Sequence, residues 1–336
     1  MGDVAMTVPV VTSLAHQYPN VRIAVLSLPY AEPFFENLAP NVTFMSADVR
    51  NEYHGIRGLN TLFRRLTAKN FTAIADFHDV LRSKYLRMRF DLGGYHVSHI
   101  NKHRDGKRAL IDSENKILQQ QPTSFKNYQD VLSNLGYPIT INFTSIFPPE
   151  GGNLKLLPPQ IPVKGTRRWI GIAPFAAHKG KIYPIELMEQ VIEKIIYDHP
   201  SCRIFLFGGK GKESDAIDKI VSNHIECTNA SSILHGLKKE LILISHLDLM
   251  VSMDSANMHL ASITGTPVIS IWGCTHPFAG FMGWNQDIKN AVQTELSCRP
   301  CSIYGTSKCQ RGDFACMNKI RPEHIIERIE AVLKKK

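Results

Sequence analysis

Asp248-Leu-Met-Val-Ser-Met-Asp254-Ser255-Ala256-Asn257-Met258-His259-Leu-Ala-Ser-Ile-Thr264-Gly265-Thr266-Pro267-Val-Ile-Ser-Ile-Trp-Gly273-Cys-Thr275-His-Pro277 decides the fold of this chain. It reads as a buried apolar strand, a polar turn, a short helix, a Thr-Gly-Thr-Pro turn, a second buried strand and a Gly-Cys-Thr turn. Two strand ends and one helix N-terminus come within reach of each other, which is where an α/β protein binds an anion. The N–H groups of Ala256, Asn257 and Met258 are unpaired in such a helix start. Together with the helix dipole they favour a negative group by ~0.3–1 kcal/mol. Asp254 there is either a helix cap or a ligand-facing carboxylate, and His259 either a core histidine or part of the site.

The same alternation extends upstream. Strands are expected at Trp169-Ile-Gly-Ile-Ala and Arg203-Ile-Phe-Leu-Phe, and helices at about 184–199, 213–223 and 237–245. The first half repeats the pattern, with strands at 21–28, 42–46, 71–76 and 95–99 and helix-like stretches at about 4–18, 30–38, 56–69 and 81–92. Strands alternating with helices imply parallel sheets covered on both faces. Residues 149–166 hold four prolines and three glycines and read as a linker. The organisation expected is a Rossmann-like domain over 1–150, a linker over 151–166 and a second Rossmann-like domain over 167–320, the two facing across a cleft. A last helix within 321–336, about Pro322 to Lys335, is a candidate to pack back on the first domain. Met1-Gly2-Asp3 leads straight into a helix-like segment, so a strand upstream of residue 1 is also expected.

A chain of 336 residues suits two domains. Apolar content of 43% and charged content of 21% are those of a soluble globular protein, and no run approaches the ~18 apolar residues of a spanning helix. Without a signal pattern the expected location is cytoplasmic. The net charge of +9 and pI near 9.1 point to anionic partners. Basic residues cluster at Arg82–Arg89 and Lys102–Arg108, either as solvated helix faces or as contacts to an anionic acceptor. Because aromatic and basic residues are not interleaved, nucleic acid is not expected. Cys298, Cys301, Cys309 and Cys316 form a CxxC with two separated followers, read as a structural zinc or iron site or as neighbouring thiols.

Three further turns carry chemistry. Asp3 stands at the mouth of a helix, as an N-cap or as a general base. Lys179 and Lys181, in a strand-to-helix turn, suit a diphosphate, and Lys181 has the better position. Gly208 and Gly209, followed by Glu213, leave room for a nucleotide, with Glu213 available to ribose hydroxyls, although the loop matches neither common phosphate-binding pattern.

These residues together resemble the ADP-heptose:lipopolysaccharide heptosyltransferase family, inverting glycosyltransferases with the GT-B fold. The resemblance is carried by Gly2-Asp3 with Thr7-Val-Pro9, Lys181-Ile-Tyr-Pro184, Phe207-Gly-Gly, Met253-Asp254-Ser255-Ala-Asn-Met-His259, Gly265-Thr266-Pro267, Gly273-Cys-Thr275-His-Pro277 and the cysteine tail. It implies a donor of ADP-heptose type held by the second domain, an anionic glycolipid acceptor held by the first, peripheral contact with the inner membrane, and no cofactor for catalysis. By the family's motifs, Asp3 is the general base and Lys181 neutralises the leaving diphosphate together with the N–H groups at Ser255, Ala256 and Asn257. Asp254 and Thr275 belong to the donor site, and His259 braces the phosphate turn. Glu213, with the region of Leu237, holds the adenosine, while Arg82, Lys84 and Arg104 are acceptor candidates. This chain has Ala176-Ala177 where relatives often carry a hydroxyl, and Ala256 where they commonly place glycine. The alternatives are a non-catalytic sugar-nucleotide or glycan-binding relative, and a two-domain sugar-nucleotide epimerase.

Overall fold

The computed structural model describes residues 1–334, so Lys335, placed above in the last helix, and Lys336 lie outside the described residues. The chain forms two compact units. The first comprises Met1, Asp3–His103 and Pro122–Phe143, and the second comprises Gly2, Arg104–Gln121 and Thr144 onward. Residues 104–121 thus group with the second unit, although the sequence reading put everything up to 150 in one domain. They are tied there by Lys116 Nζ, which donates to Ser297 O (3.1 Å) and Pro300 O (2.9 Å), and by the Gln121 N–H, which donates to Phe278 O (2.8 Å).

In the first unit β1 (Ile23–Ser27) pairs in parallel with β2 (Val42–Ser46), and β3 (Ala73–Asp76) with β4 (His96–His99). Met45, Leu62, Leu66 and Phe90 form a core beneath the helices Gly55–Thr67 and Leu81–Leu92. Leu59, Leu62 and Leu66 recur three and four residues apart and are all buried, which presents one apolar face to that core. The helix-like stretch at 4–18 is in fact two helices, Gly2–Ala5 and Val8–Gln17, with Pro9 at the start of the second. Proline fits there because a first-turn N–H has no intrahelical partner to lose.

The second unit holds one six-stranded parallel sheet in the order β10-β9-β8-β5-β6-β7. Its strands are β5 (Trp169–Ala173), β6 (Arg203–Leu206), β7 (Cys227–Asn229), β8 (Leu249–Met253), β9 (Val268–Trp272) and β10 (Ala291–Gln293). Every residue of β5, β8 and β9 is buried, as expected of parallel strands covered on both faces. The short strands β7 and β10 escaped the sequence reading, because three residues give no period to detect. Asp248 fastens the N-terminal ends of the central strands. It accepts from the Trp169 N–H (2.8 Å) and pairs with Lys164 (3.2 Å) and Arg168 (3.5 Å), so this carboxylate of the opening stretch is structural. The last helix, Pro322–Leu333, buries Ile325 and Ile329 against the helix Ile185–Asp198 and against β8 and β9, all within the second unit. No helix among the described residues is long and apolar enough to cross a membrane.

Candidate functional site

The strand order of the second unit reverses between β5 and β8. Connections run outward from β5 through β6 to β7 on one side, and through β8 and β9 to β10 on the other. Ligands of open α/β sheets bind outside the carboxyl ends of the strands at such a switch point. The turn holding Lys181 follows β5, and Asp254-Ser255 follows β8.

These turns meet. Lys181 Nζ lies 2.9 Å from Asp254 Oδ2, with both side chains largely buried, and Thr275 Oγ1 donates to the same oxygen at 2.7 Å. Local sequence left open whether Asp254 caps the following helix. The cap position of Ala256–Ile263 belongs to Ser255, and Asp254 instead joins the ends of β5, β8 and β9. Ser255 makes no side-chain cap bond. Ala256 is not among the residues with positive φ, so its methyl group is accommodated without strain.

Close backbone approach sets the position of Lys181. The Cys274 N–H donates to Gly180 O at 3.0 Å, and a Cβ at Gly273 would collide with that same carbonyl. Gly305, at φ +90°, leaves the space through which the Lys181 stem runs. Sequence reasoning missed Arg299, which is 5% exposed. Its guanidinium donates to the carbonyls of Gly273, Thr275 and Thr294 and to Gln293 Oε1, holding the Gly273–Thr275 turn from behind. Burial lowers its pKa to about 10, and no carboxylate is among these acceptors. The only local signal was an arginine inside Cys-Arg-Pro-Cys.

At the end of β6 the Gly208 N–H donates to Ser231 Oγ (2.7 Å), and the Gly209 N–H to Glu213 Oε2 (2.6 Å). A Cβ at Gly208 would press on the side chains of Ile217 and Phe175, which would have to shift to admit it. One oxygen of Glu213 therefore stabilises the turn. Leu237 opens the helix Leu237–Ser245, where burial raises the pKa of Glu240 in the first turn. His259 is buried in Ala256–Ile263.

In the first unit Asp3 is exposed on the helix Gly2–Ala5. The phenols of Tyr30 and Tyr128 have raised pKa values, from burial first and then from the charge of Asp3. The basic cluster Arg82–Arg89 is partly taken up by the fold. Arg87 pairs with Asp76 (3.0 Å) and Asp79 (3.2 Å), Lys84 with Asp79 (3.7 Å), and Arg89 donates to Asn60 Oδ1. Arg82 is exposed, whereas Arg104 belongs to the second unit, so the structure does not group it with Arg82 and Lys84.

Cys298, Cys301, Cys309 and Cys316 do gather, joined by Cys274, around one cavity beside Gly180 and Arg299. Burial pushes Cys274 up to about 12 and Cys316 to about 11, and raises Cys301 as well, with neighbouring sulfurs adding to each shift. Among the described residues, however, no three His, Cys, Asp or Glu side chains converge as a metal-ligating set. Of the two readings the sequence left open, a zinc or iron site lacks a fitting cage here, and the thiols are free and packed behind the Lys181 turn.

Comparison with known proteins bears on the family and the fold. The curated Haemophilus influenzae lipopolysaccharide core heptosyltransferase OpsX is 23% identical over 293 residues, 82% of this chain and 77% of that protein. Lipooligosaccharide heptosyltransferase 2 of Campylobacter jejuni is 30% identical over 91 residues, and the match spans only 27% of either protein. Among solved structures, a glycosyltransferase family 9 protein from Veillonella parvula superposes with a TM-score of 0.73 at 17% identity, covering 100% of this chain and 95% of that one. The E. coli ADP-heptose lipopolysaccharide heptosyltransferase II gives 0.68 at 17% identity, covering 99% and 96%. The expected GT-B fold is thus the fold of this chain. The family model for glycosyltransferase family 9 (heptosyltransferase) matches residues 59–309, most of the length, and the chain belongs to that family of glycosyltransferases.

Proposed function

We propose that this protein moves a heptose from ADP-heptose to an anionic lipopolysaccharide-core acceptor, inverting the anomeric configuration, on the cytoplasmic face of the inner membrane. The carrying observation is the Lys181–Asp254–Thr275 cluster at the switch point of the six-stranded sheet. The reading is further supported by a solved relative, the E. coli heptosyltransferase WaaC, whose structure contains ADP.

In this reading the unit beginning at Thr144 holds the donor. The N–H groups of Ser255, Ala256 and Asn257 face the diphosphate, Gly208, Gly209, Glu213 and Leu237 surround the adenosine, and Asp254 with Thr275 orients the sugar side. Asp3 takes the proton from the acceptor hydroxyl, whose oxygen forms the new bond to the anomeric carbon. The bond from that carbon to the diphosphate breaks, its electron pair leaves on ADP, and Lys181 neutralises the growing charge. Arg82 and Lys84 are the acceptor contacts on the first unit, and Arg104 is a further candidate on the second. No cofactor takes part.

A screen of nucleotide sugars, read as nucleotide release with a lipopolysaccharide-core acceptor, tests this directly. ADP-heptose is expected to be turned over by the wild type and not by Asp3→Ala. Equal inactivity of both proteins, with ADP still bound, would overturn the catalytic reading. Turnover of another sugar nucleotide would overturn the heptose assignment.

A further inference from the structure

The helix Leu81–Leu92 presents apolar side chains to solvent where a surface helix normally presents polar ones. Leu81 is 87%, Met88 49% and Leu92 79% exposed, while Phe90, on the far side of the helix, is buried in the core. Residues 81, 88 and 92 are spaced seven and four apart, so they form one row along the helix, with Tyr85 between them. Arg82 and Arg89 border the row on one side, and Lys84 and Asp91 on the other. The neighbouring helix Gly55–Thr67 is joined to this one through Asn60 Oδ1, which accepts from Tyr85 Oη (2.7 Å) and Arg89 (2.6 Å). One turn from Asn60, Ile56 adds a further apolar side chain, 66% exposed. Across both helices the sequence has seven bases against a single acid, Asp91; Asp76 and Asp79 take up Arg87 and Lys84, and Arg57, Arg64 and Arg82 stand exposed.

The geometry points to a lipid-facing surface. The row Leu81–Met88–Leu92 enters the headgroup–acyl boundary of an anionic bilayer, and the exposed Arg82, with Arg57 and Arg64 of the neighbouring helix, rests among the phosphates. A single apolar row edged by bases is the pattern of a helix lying in a membrane interface, where apolar burial and attraction to anionic lipid act together. This deepens the proposed function, and rests on it for the idea that the acceptor is lipid-borne.

The test uses the full chain and keeps the two readings apart. Binding to vesicles is measured by co-sedimentation with phosphatidylcholine alone or mixed with phosphatidylglycerol, at low and high salt. Transfer is measured separately on a delipidated core oligosaccharide in solution. The wild type is expected to sediment with the anionic vesicles and to be released by salt. Leu81→Gln/Leu92→Gln should bind about tenfold or more weakly, since two large apolar groups no longer enter the bilayer. Its melting temperature and its transfer to the soluble acceptor should be those of wild type. As a second readout, Leu92→Trp should shift its emission to shorter wavelength when anionic vesicles are added. Wild type indifferent to vesicles, equal partition of the double variant, or an unmoved Leu92→Trp spectrum would each overturn the proposal. So would a wild-type dimer that the double variant dissolves, because a second copy would then cover the row. Loss of transfer to the soluble acceptor with vesicle binding intact counts against the proposed function instead.

Discussion

Lys181 and Asp254 meet at 2.9 Å where β5 and β8 diverge, and Thr275 donates to the same carboxylate oxygen. An ammonium paired this way is held in place before any anion arrives, and its partner is a buried carboxylate that would be costly to leave alone. Lys181→Ala is therefore expected to have two separable effects. Turnover should fall by about 10²-fold or more, the usual loss when a group stabilising a developing charge is removed. Stability should also fall, because Asp254 keeps only Thr275. Adding Asp254→Asn to Lys181→Ala should restore stability and leave turnover low. Urea unfolding and steady-state kinetics on the four proteins of the cycle check this, and a double variant no more stable than Lys181→Ala counts against it.

Asp3 belongs to the other unit, so its effect should be confined to chemistry. Asp3→Asn removes the basic oxygen and keeps the size of a side chain that lies inside the first turn of Gly2–Ala5 rather than at its cap. It is expected to lower kcat by about 10²–10⁴-fold, the range for a positioned general base. The affinity for ADP, read by calorimetry, should stay at the wild-type value. An equal loss in both quantities would make Asp3 a structural residue and not the base.

Much of this was legible in the chain because the signals are local. β5, β8 and β9 announce themselves as continuous apolar runs, and the turns after β5 and β8 carry Lys181 and Asp254, which the structure pairs. What could not be read locally depends on contacts far along the chain. Asp254 looks equally like a cap until Lys181, more than seventy residues earlier, is seen beside it. Residues 104–121 read as part of the first half, yet are held by backbone carbonyls of Phe278, Ser297 and Pro300. The basic run Arg82–Arg89 looked like an acceptor surface, but Asp76, Asp79 and Asn60 occupy three of its side chains. The four-cysteine spacing correctly brought thiols together, but spacing says nothing about whether their sulfurs converge on one point.

Arg299 is the residue whose role was least visible and whose loss should be felt most widely. Its substitution by Gln leaves carbonyls of Gly273, Thr275 and Thr294 without their donor. Each buried orphan costs about 1–3 kcal/mol, so Arg299→Gln should lower the urea midpoint clearly and loosen the turn that presents Thr275 to Asp254. A weaker affinity for ADP is expected with it. Arg299→Lys retains the charge but cannot reach several carbonyls at once, and should recover little of either. A Gln variant as stable as wild type would mean that the turn holds without this clamp.

The same guanidinium contributes to a pH dependence. Burial, and after it the charge of Arg299, holds His276 down at about 4, below the ordinary value of about 6.5. The neutral ring is also the form its contact requires, because Nδ1 accepts from the Phe278 N–H at 3.1 Å. Between these two pH values the unfolded chain takes up a proton that the folded chain refuses. Stability therefore rises with pH through the window, and is lost as pH falls from about 6.5 towards 4. Urea midpoints should accordingly be lower near pH 5 than near pH 7. His276→Asn keeps an acceptor for the Phe278 N–H without a titrating ring, and should flatten part of that slope. Other acid-sensitive groups are common to both proteins, so the difference between their slopes is the quantity to measure. An identical pH profile in the two proteins would show that His276 is protonated as readily in the folded chain as in the unfolded one.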